Sequence, residues 1–552
     1  DFEIQTGLVS MPHNEQSTPM MVAPSPDQQT RHITLIRPPV VSPIKSFYSP
    51  VALPLALAYL AASLRDQRFR VSVIDAVGEA VGQIKRHDAL GALVRGLTIE
   101  EIVARIMPGT HLIAVSCMFS QEWLFIQKLL ERIKAAYPHV PIVLGGEHAS
   151  AMSTEILQMC PAVDLCVKGE GEEAIVNIAR YFPHEPNKIT GAAFRDPDGK
   201  IRETSSRPRI RTIENIPWPA WDLFPIEVYL GRGDAVGPHR GRSIPLLASR
   251  GCPYQCTFCS SPSMWTQLYE IRSPLDVITE IEAYIREYQI THVEFVDLTA
   301  IVKKDLIMQF GRLMEERKIN VSWSLPSGTR SEALDEEVIE LMARTRCYYL
   351  VYAAESGSER VLKLIKKQIH LDKMVASMKA AKKHGLSIRC NLMIGFPPET
   401  RRDVFKTIRF QLRLALLGVD DVPLYIFSPY PGSALFKEMR QKGKIKSIDE
   451  NYFRGLLSQD TLTRDRRNCE HIGPAELKFY SCLGVSLFYI IGYLVYPRRI
   501  MRSLSNIFFK KDTRTIFEQR IVENLKLQRV PAPESATRLQ DRQRSRLPVR
   551  AL

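Results

Sequence analysis

Residues 250–261 read "RGCPYQCTFCSS" and place Cys252, Cys256 and Cys259 in the spacing Cys-x3-Cys-x2-Cys. A structural zinc site wants four closed ligands, usually in two separated pairs. Three thiolates on one short loop can instead hold three irons of a [4Fe–4S] cluster, leaving the fourth iron open to a substrate or cofactor. The stretch just before the loop, "SIPLLAS" (243–249), reads as a buried strand, so the cysteines follow a strand's carboxyl end.

Downstream the pattern alternates. Residues 273–288, "SPLDVITEIEAYIREY", read as a helix, with Ser273 as N-cap, Pro274 at the first position and Asp276 closing a capping box. Strands are expected at "THVEFVD" (291–297), "INVSWSLPSG" (319–328), "CYYLVYAAESG" (347–357), "SIRCNLMIGFP" (387–397) and "VPLYIFSPYPG" (422–432), with helices between them. Six strand–helix units are too few for an eight-fold barrel, so residues 241–440 are expected to form a partial (β/α)6 barrel with its chemistry at the strands' carboxyl ends.

Upstream, residues 31–185 alternate in the same way. Strands at 32–39, 69–76, 111–118 and 140–146 are separated by helices, the one at 98–107 carrying Thr98 and Glu101 in capping-box spacing. The expected fold is α/β, a doubly wound Rossmann-like sheet, and ligands of such sheets sit beyond the carboxyl ends of the strands. Three loops there suit a large polar ligand: "SCMFSQE" with Ser116 and Ser120, "LGGEHAS" with Gly145, Gly146 and His148, and "VKGEGEEA" with Gly169, Glu170 and Gly171. Glycines that only turn the chain are the plainer alternative for any one loop. The sequence has no Gly-x-Gly-x-x-Gly, which disfavours a nicotinamide cofactor.

The 552 residues exceed one ordinary core, and 45% apolar with 24% charged residues describe a globular chain. The net charge of +14 is concentrated toward the end, where 528–552 read as a disordered basic tail; 1–30 read as a disordered N-terminal tail, and 186–240 as a Pro- and Trp-bearing linker. No aromatic-basic groove is evident, so no nucleic acid partner is expected. Seven of the ten cysteines are scattered on apolar segments, as in a reduced cytoplasmic protein. Residues 441–527 are expected to form a small helical C-terminal region. Within it, Phe479–Tyr496 hold no charge in 18 residues, about 27 Å of helix and barely a membrane span. A buried helix capping the barrel mouth is the leading reading, and a peripheral membrane-surface contact through 479–514 the next.

The loop "GCPYQCTFC", with Phe258 before its last cysteine, resembles the cluster loop of the radical S-adenosylmethionine (radical SAM) enzymes. "YAAESGSERVL" (352–362), "NLMIGFPPET" (391–400) and "FSPYPGSALF" (427–436) are similar to that family's fourth-, fifth- and sixth-strand segments. "RPP", "GGEHAS" and "VDLCVKGEGEE" make the first domain look like the cobalamin-binding domain that precedes many such enzymes. The resemblance spans residues 31–440. It implies a [4Fe–4S] cluster on Cys252, Cys256 and Cys259. It implies S-adenosylmethionine beside Phe258, Glu355, Ser324, Arg330 and Ile394, and cobalamin on Ser116, Ser120, Gly145, Gly146, His148, Gly169, Glu170 and Gly171. An ion pair to Arg389 or Lys366 is the alternative for Glu355. The cobalt-ligating Asp-x-His-x-x-Gly of many cobalamin proteins is missing, and His148 is read as packing or hydrogen-bonding near the corrin. The implied activity is methyl transfer to an unactivated carbon through a 5′-deoxyadenosyl radical. Ring formation, as in the magnesium-protoporphyrin monomethyl ester cyclase, is the alternative, and a non-catalytic cobalamin sensor the alternative of another class. A small-molecule or lipid-like substrate, an external electron donor and a monomer complete the expectation.

Overall fold

A computed structural model describes residues 31–44, 51–233, 235–238, 240–329, 333–457, 468–509, 515, 518–519 and 521. The stretches expected as tails, 1–30 and 528–552, and the candidate Arg330 lie outside the described residues.

The N-terminal sheet has seven strands: β1 (His32–Arg37), β2 (Arg70–Asp75), β3 (Thr110–Ser116), β4 (Ile142–Gly145), β5 (Leu165–Val167), β6 (Ala192–Arg195) and β7 (Ile201–Glu203), in the order β7-β6-β5-β4-β3-β1-β2. The first five pair in parallel, and β6 and β7 add antiparallel. Helices cover both faces, which is why the parallel strands are apolar on alternate residues in both directions. Ile33, Leu35, Leu112 and Ala114 enter one core; Ile36, Ile113 and Val115 enter the other. The sheet thus runs on into 186–240, the stretch expected as a linker. Farther along that stretch Trp221 is fully buried, and Ala220 N–H donates to Ala58 O (3.0 Å). A three-stranded antiparallel sheet of Val40–Pro43, Ala92–Arg95 and Ile84–His87 is appended beside the domain.

The second sheet has six parallel strands in chain order: β8 (Ser243–Leu246), β9 (His292–Phe295), β10 (Ser322–Thr329), β11 (Cys347–Glu355), β12 (Ser387–Ile394) and β13 (Leu424–Ile426). Strands β8 and β13 are its edges, so the barrel is open, as six units require. Val293, Phe295, Trp323, Leu325, Leu350, Ile388 and Ile394 pack outward on the helices. The alternate residues face the lumen, which is polar: Glu294 accepts from Val236 N–H (2.6 Å) and Gly237 N–H (2.7 Å), so the chain entering the barrel passes through its lower opening. The helix Pro274–Tyr288 starts as expected on Ser273, whose hydroxyl accepts from Asp276 N–H (3.2 Å). The Asp276 carboxylate does not close the capping box; Arg272 takes it (2.5 Å).

Five helices matter below: α1 (Glu147–Ala151), α2 (Ser261–Trp265), α3 (Arg401–Leu417), α4 (Pro474–Val495) and α5 (Arg498–Phe509). Helix α4 is not the buried cap that its composition led us to expect. It lies along α3 and edge strand β13, burying only Leu477, Tyr480, Gly484, Phe488 and Gly492.

Candidate active site

The cysteine loop leaves β8 held by several anchors. Buried Asp297, at the end of β9, accepts from Ala248 N–H (3.1 Å) and the Ser249 hydroxyl (2.5 Å). Burial pushes this carboxyl up to about 6, against the pull of those hydrogen bonds. Gly251 follows at φ +85°, where any Cβ would collide with Leu268 O, so only glycine lets the loop turn there. Thr257 donates its N–H to Ile365 O (3.0 Å) and accepts from Leu435 N–H (2.9 Å). Phe258 packs on Phe396 at 5.7 Å between ring centroids, tying the loop to the apolar cluster around Phe427.

Between these anchors Cys252, Cys256 and Cys259 are free and half-buried. Thr299 hydroxyl donates to Cys252 Sγ (3.3 Å), and Cys259 Sγ donates to Ser261 Oγ (3.3 Å). Burial pushes Cys256 and Cys259 up, opposed by Lys367 for the first and by Ser261 for the second. Among the described residues no three His, Cys, Asp or Glu side chains are drawn into a metal-ligand set. The donor chemistry fits a cluster held by three protein thiolates: three soft ligands, no disulfide, one pinned loop. Thiols raised by burial must then lose their protons as iron binds.

Glu355 ends β11 with φ +64°, an uncommon angle for a non-glycine residue. Its carboxylate accepts from Lys367 Nζ (3.1 Å), not from Arg389 or Lys366; Arg389 pairs with Asp421 (3.2 Å) inside the barrel. Both Glu355 and Lys367 act on Cys256, so this pair borders the loop. Ser324 is elsewhere. It pairs with Glu294 near the start of β10, fully buried, and bonds His292 Nε2 (3.1 Å). Strand β10 runs on to Thr329, leaving Ser324 in the lower lumen and not at the strand's end. Ile394 is in register at the end of β12, but its side chain is in the outer core. The contact with the loop comes two residues on, where Phe396 packs on Phe258.

The glycine loops are more committed to the protein than expected. A Cβ on Gly146 (φ +115°) would sit 2.5 Å from Cys117 O, so this glycine serves the close approach of the chain after β3 and β4. Gly171 similarly clears Leu60 (2.9 Å). Gly145 is roomier, with Val167 at 4.0 Å, and pairs with the half-buried Ser116; Gly169 (φ +89°) faces Met264 O at 3.7 Å. His148 is 1% exposed among Trp123 and Phe453, its Nδ1 on Ser120 Oγ (2.8 Å), and burial lowers it to about 3. Ser120 and His148 therefore form a neutral internal pair. Glu170 and Glu172 turn toward the barrel. Glu170 accepts from Arg209 (2.8 Å) and lies 3.5 Å from Arg250; Glu172 accepts from Arg250 (2.6 Å), all four largely buried.

The cysteine loop and the "GGEHAS" loop meet. Ser260, next to Cys259, donates its hydroxyl to Glu147 at the start of α1, and α1 packs on α2. Gly432 completes the junction: its Cβ would meet Ser263 Oγ at 2.6 Å and Ala151 at 3.1 Å. Tyr430 hydroxyl donates to Gln121 (3.0 Å) from the same side. Glu147, Ser260, Asp297 and Lys367 escaped the sequence reading. Ser260 and Glu147 stood inside the quoted motifs: the need to bring both cofactors to one substrate carbon sets the two loops face to face, but it does not choose the residues that touch.

Comparison with known proteins gives the same partition. Residues 246–410 match the Radical SAM superfamily and residues 48–179 the B12 binding domain. An uncharacterized methyltransferase of Pyrococcus horikoshii is 30% identical over 407 residues, 73% of this chain and 82% of that protein. The cytidylyl-2-hydroxyethylphosphonate methyltransferase of Streptomyces wedmorensis is 27% identical over 72% of this chain and 80% of its own. In fold, the chain superimposes on the radical S-adenosylmethionine methyltransferase TsrM of Kitasatospora setae, solved with cobalamin and a [4Fe–4S] cluster bound. The TM-score is 0.62 at 15% identity, covering 90% of this chain and 98% of that one.

Proposed function

The chain belongs to the cobalamin-dependent radical SAM enzymes, and from that premise we propose that it transfers a methyl group to an unactivated carbon of a small or lipid-like molecule. The observation that carries the proposal is the contact of the two loops through Ser260 and Glu147. Positioning two reacting partners at near contact is worth several kcal/mol of barrier, on the order of 7 or more in favourable cases.

When bound, the cluster and S-adenosylmethionine supply a 5′-deoxyadenosyl radical, and cobalamin a transferable methyl group. Cys252, Cys256 and Cys259 would hold the cluster. Thr299 and Ser261 would orient the first and last sulfur. Glu355, held by Lys367, would accept hydrogen bonds from the amino group of S-adenosylmethionine. Cobalamin would lie at the carboxyl ends of β3–β5, against Ser116, Gly145 and Gly169. His148 would not ligate cobalt, because its ring is enclosed by Trp123 and Phe453 and its Nδ1 is held by Ser120. We propose further that the enzyme is a cytoplasmic monomer fed by an external electron donor.

The test is anaerobic reconstitution with labelled S-adenosylmethionine and mass spectrometry of the products. Methyl transfer yields S-adenosylhomocysteine and 5′-deoxyadenosine together. 5′-Deoxyadenosine alone in quantity would replace the proposal with ring formation; cobalamin binding with neither product would replace it with a sensor.

A further inference from the structure

The C-terminal helices carry a surface that the proposed reaction does not use. Helix α5 is inside out. Four of its polar residues face the protein: Arg499 donates to Val419 O (3.0 Å), Arg502 pairs with Asp420 (3.2 Å), and Ser503 and Asn506 donate to Glu518 (2.8 and 3.0 Å). The apolar residues Ile500, Met501 and Leu504 are exposed, by 43, 72 and 45%. The end of α4 continues the surface through Ile490 and Leu494, exposed by 55 and 76%. An amphipathic helix on a soluble body turns its apolar side inward, so this arrangement calls for an apolar partner outside.

Beside it lies a concavity of about 600 Å³ lined by Lys379, Lys382, Lys383, Arg498, Arg499 and Arg502. Asp420 pairs with Lys382, Arg499 and Arg502, and Glu336 with Lys383. Lys379 and Arg498 are exposed and make no ion pair among the described residues. Helix α4 cannot leave to cross a bilayer without breaking its seat: Ser481 hydroxyl donates to Leu424 O (2.6 Å), Tyr489 hydroxyl to Asp421 (2.9 Å), and Gly484 admits Gln411.

We propose that the corner of α4 and α5 docks the enzyme on the surface of an anionic phospholipid bilayer. Leu494, Met501 and Leu504 enter the headgroup–acyl boundary, and Lys379 and Arg498 meet the phosphates. Charge complementarity selects an anionic surface, and the exposed apolar residues select a bilayer over a nucleic acid, which would leave them in water.

The test is co-sedimentation of the full-length protein with vesicles of phosphatidylcholine containing phosphatidylglycerol, against phosphatidylcholine alone. Binding to the anionic vesicles, weakened by salt, is expected. Leu494→Glu with Met501→Glu should reduce it at least tenfold, and Arg498→Glu roughly fivefold or more, with melting curves like the parent's. If the double variant fails to fold, Met501→Gln and Leu504→Gln replace it. Equal binding to neutral vesicles, or no binding, overturns the proposal. Full binding by the folded variants overturns it in favour of the basic chain end. Displacement by millimolar inorganic phosphate alone overturns it in favour of a free-anion site. A concentration-dependent dimer abolished by Met501→Gln, without vesicle binding, overturns it in favour of a second copy.

Discussion

The cysteine loop and the glycine loops are opposite kinds of motif. Around the cysteines the protein fixes the backbone and leaves the functional atoms uncommitted: Asp297, Gly251, Thr257 and Phe258 hold the loop, while the sulfurs make only weak contacts with hydroxyls. Around the glycines the protein uses much of the motif itself. Gly146 lies on Cys117 O, Gly171 on Leu60, and His148 on Ser120 between aromatic rings. A dense motif on the first domain is thus mostly packing, with Gly145 and Gly169 left with room beside them, whereas the cysteine loop is held by its surroundings with its sulfurs uncommitted.

The largest test of that contrast is Cys252→Ala, Cys256→Ala or Cys259→Ala. Each should abolish cluster absorbance and S-adenosylmethionine cleavage while leaving the far-ultraviolet spectrum unchanged. Full iron content with full activity in any one of them breaks the reading of that loop. Next is Gly146→Val. It should destabilise the protein by roughly 4 kcal/mol with no cobalamin present, from backbone strain and the clash with Cys117 O. Gly145→Ala, with its nearest neighbour at 4.0 Å, should leave the melting temperature alone and weaken cobalamin binding. Equal melting temperatures for the two variants would show that both glycines serve the ligand.

Asp297 sharpens the comparison through pH. Its folded value of about 6 lies above its ordinary 3.8, because burial outweighs its hydrogen bonds. The raised value means that the stability it contributes is full below about pH 4 and is lost as pH rises through 6. The parent should therefore lose about 3 kcal/mol relative to Asp297→Asn between those limits. Denaturant titrations of both proteins at pH 4 and 7 read the difference, and parallel pH profiles would remove Asp297 as the buried anchor. The smallest effect is that of His148→Gln. Losing the Ser120 contact and some packing should cost about 1 kcal/mol, with the absorbance of bound cobalamin unmoved. A spectral shift would make His148 a ligand after all.

Alternation of apolar runs made both sheets legible, and the tight cysteine spacing made the loop legible, because each is a local signal. Less legible was what depends on register or on distant contact. The strand expected at 319–328 begins three residues later, at Ser322, and runs to Thr329, which puts Ser324 near its start and not at its end. Strands β6 and β7 are short and half polar, and looked like linker. The run 479–496 is apolar enough for a core or a membrane, and composition cannot say that only every third or fourth residue would be buried. The Glu147–Ser260 contact joins residues more than a hundred positions apart.

The four-membered cluster of Arg209, Arg250, Glu170 and Glu172 has a consequence for ancestry and engineering. Against burial, which pushes it up, Arg250 holds Glu172 below the ordinary carboxylate range. Stranding either partner of such a buried pair costs about 3–5 kcal/mol, and the surrounding apolar core is continuous from Ile33 to Phe488. The two halves are therefore not interchangeable parts. Recombination with a relative at residue 240 would keep this lock only where the incoming half supplies an arginine at 250 to face Glu170 and Glu172.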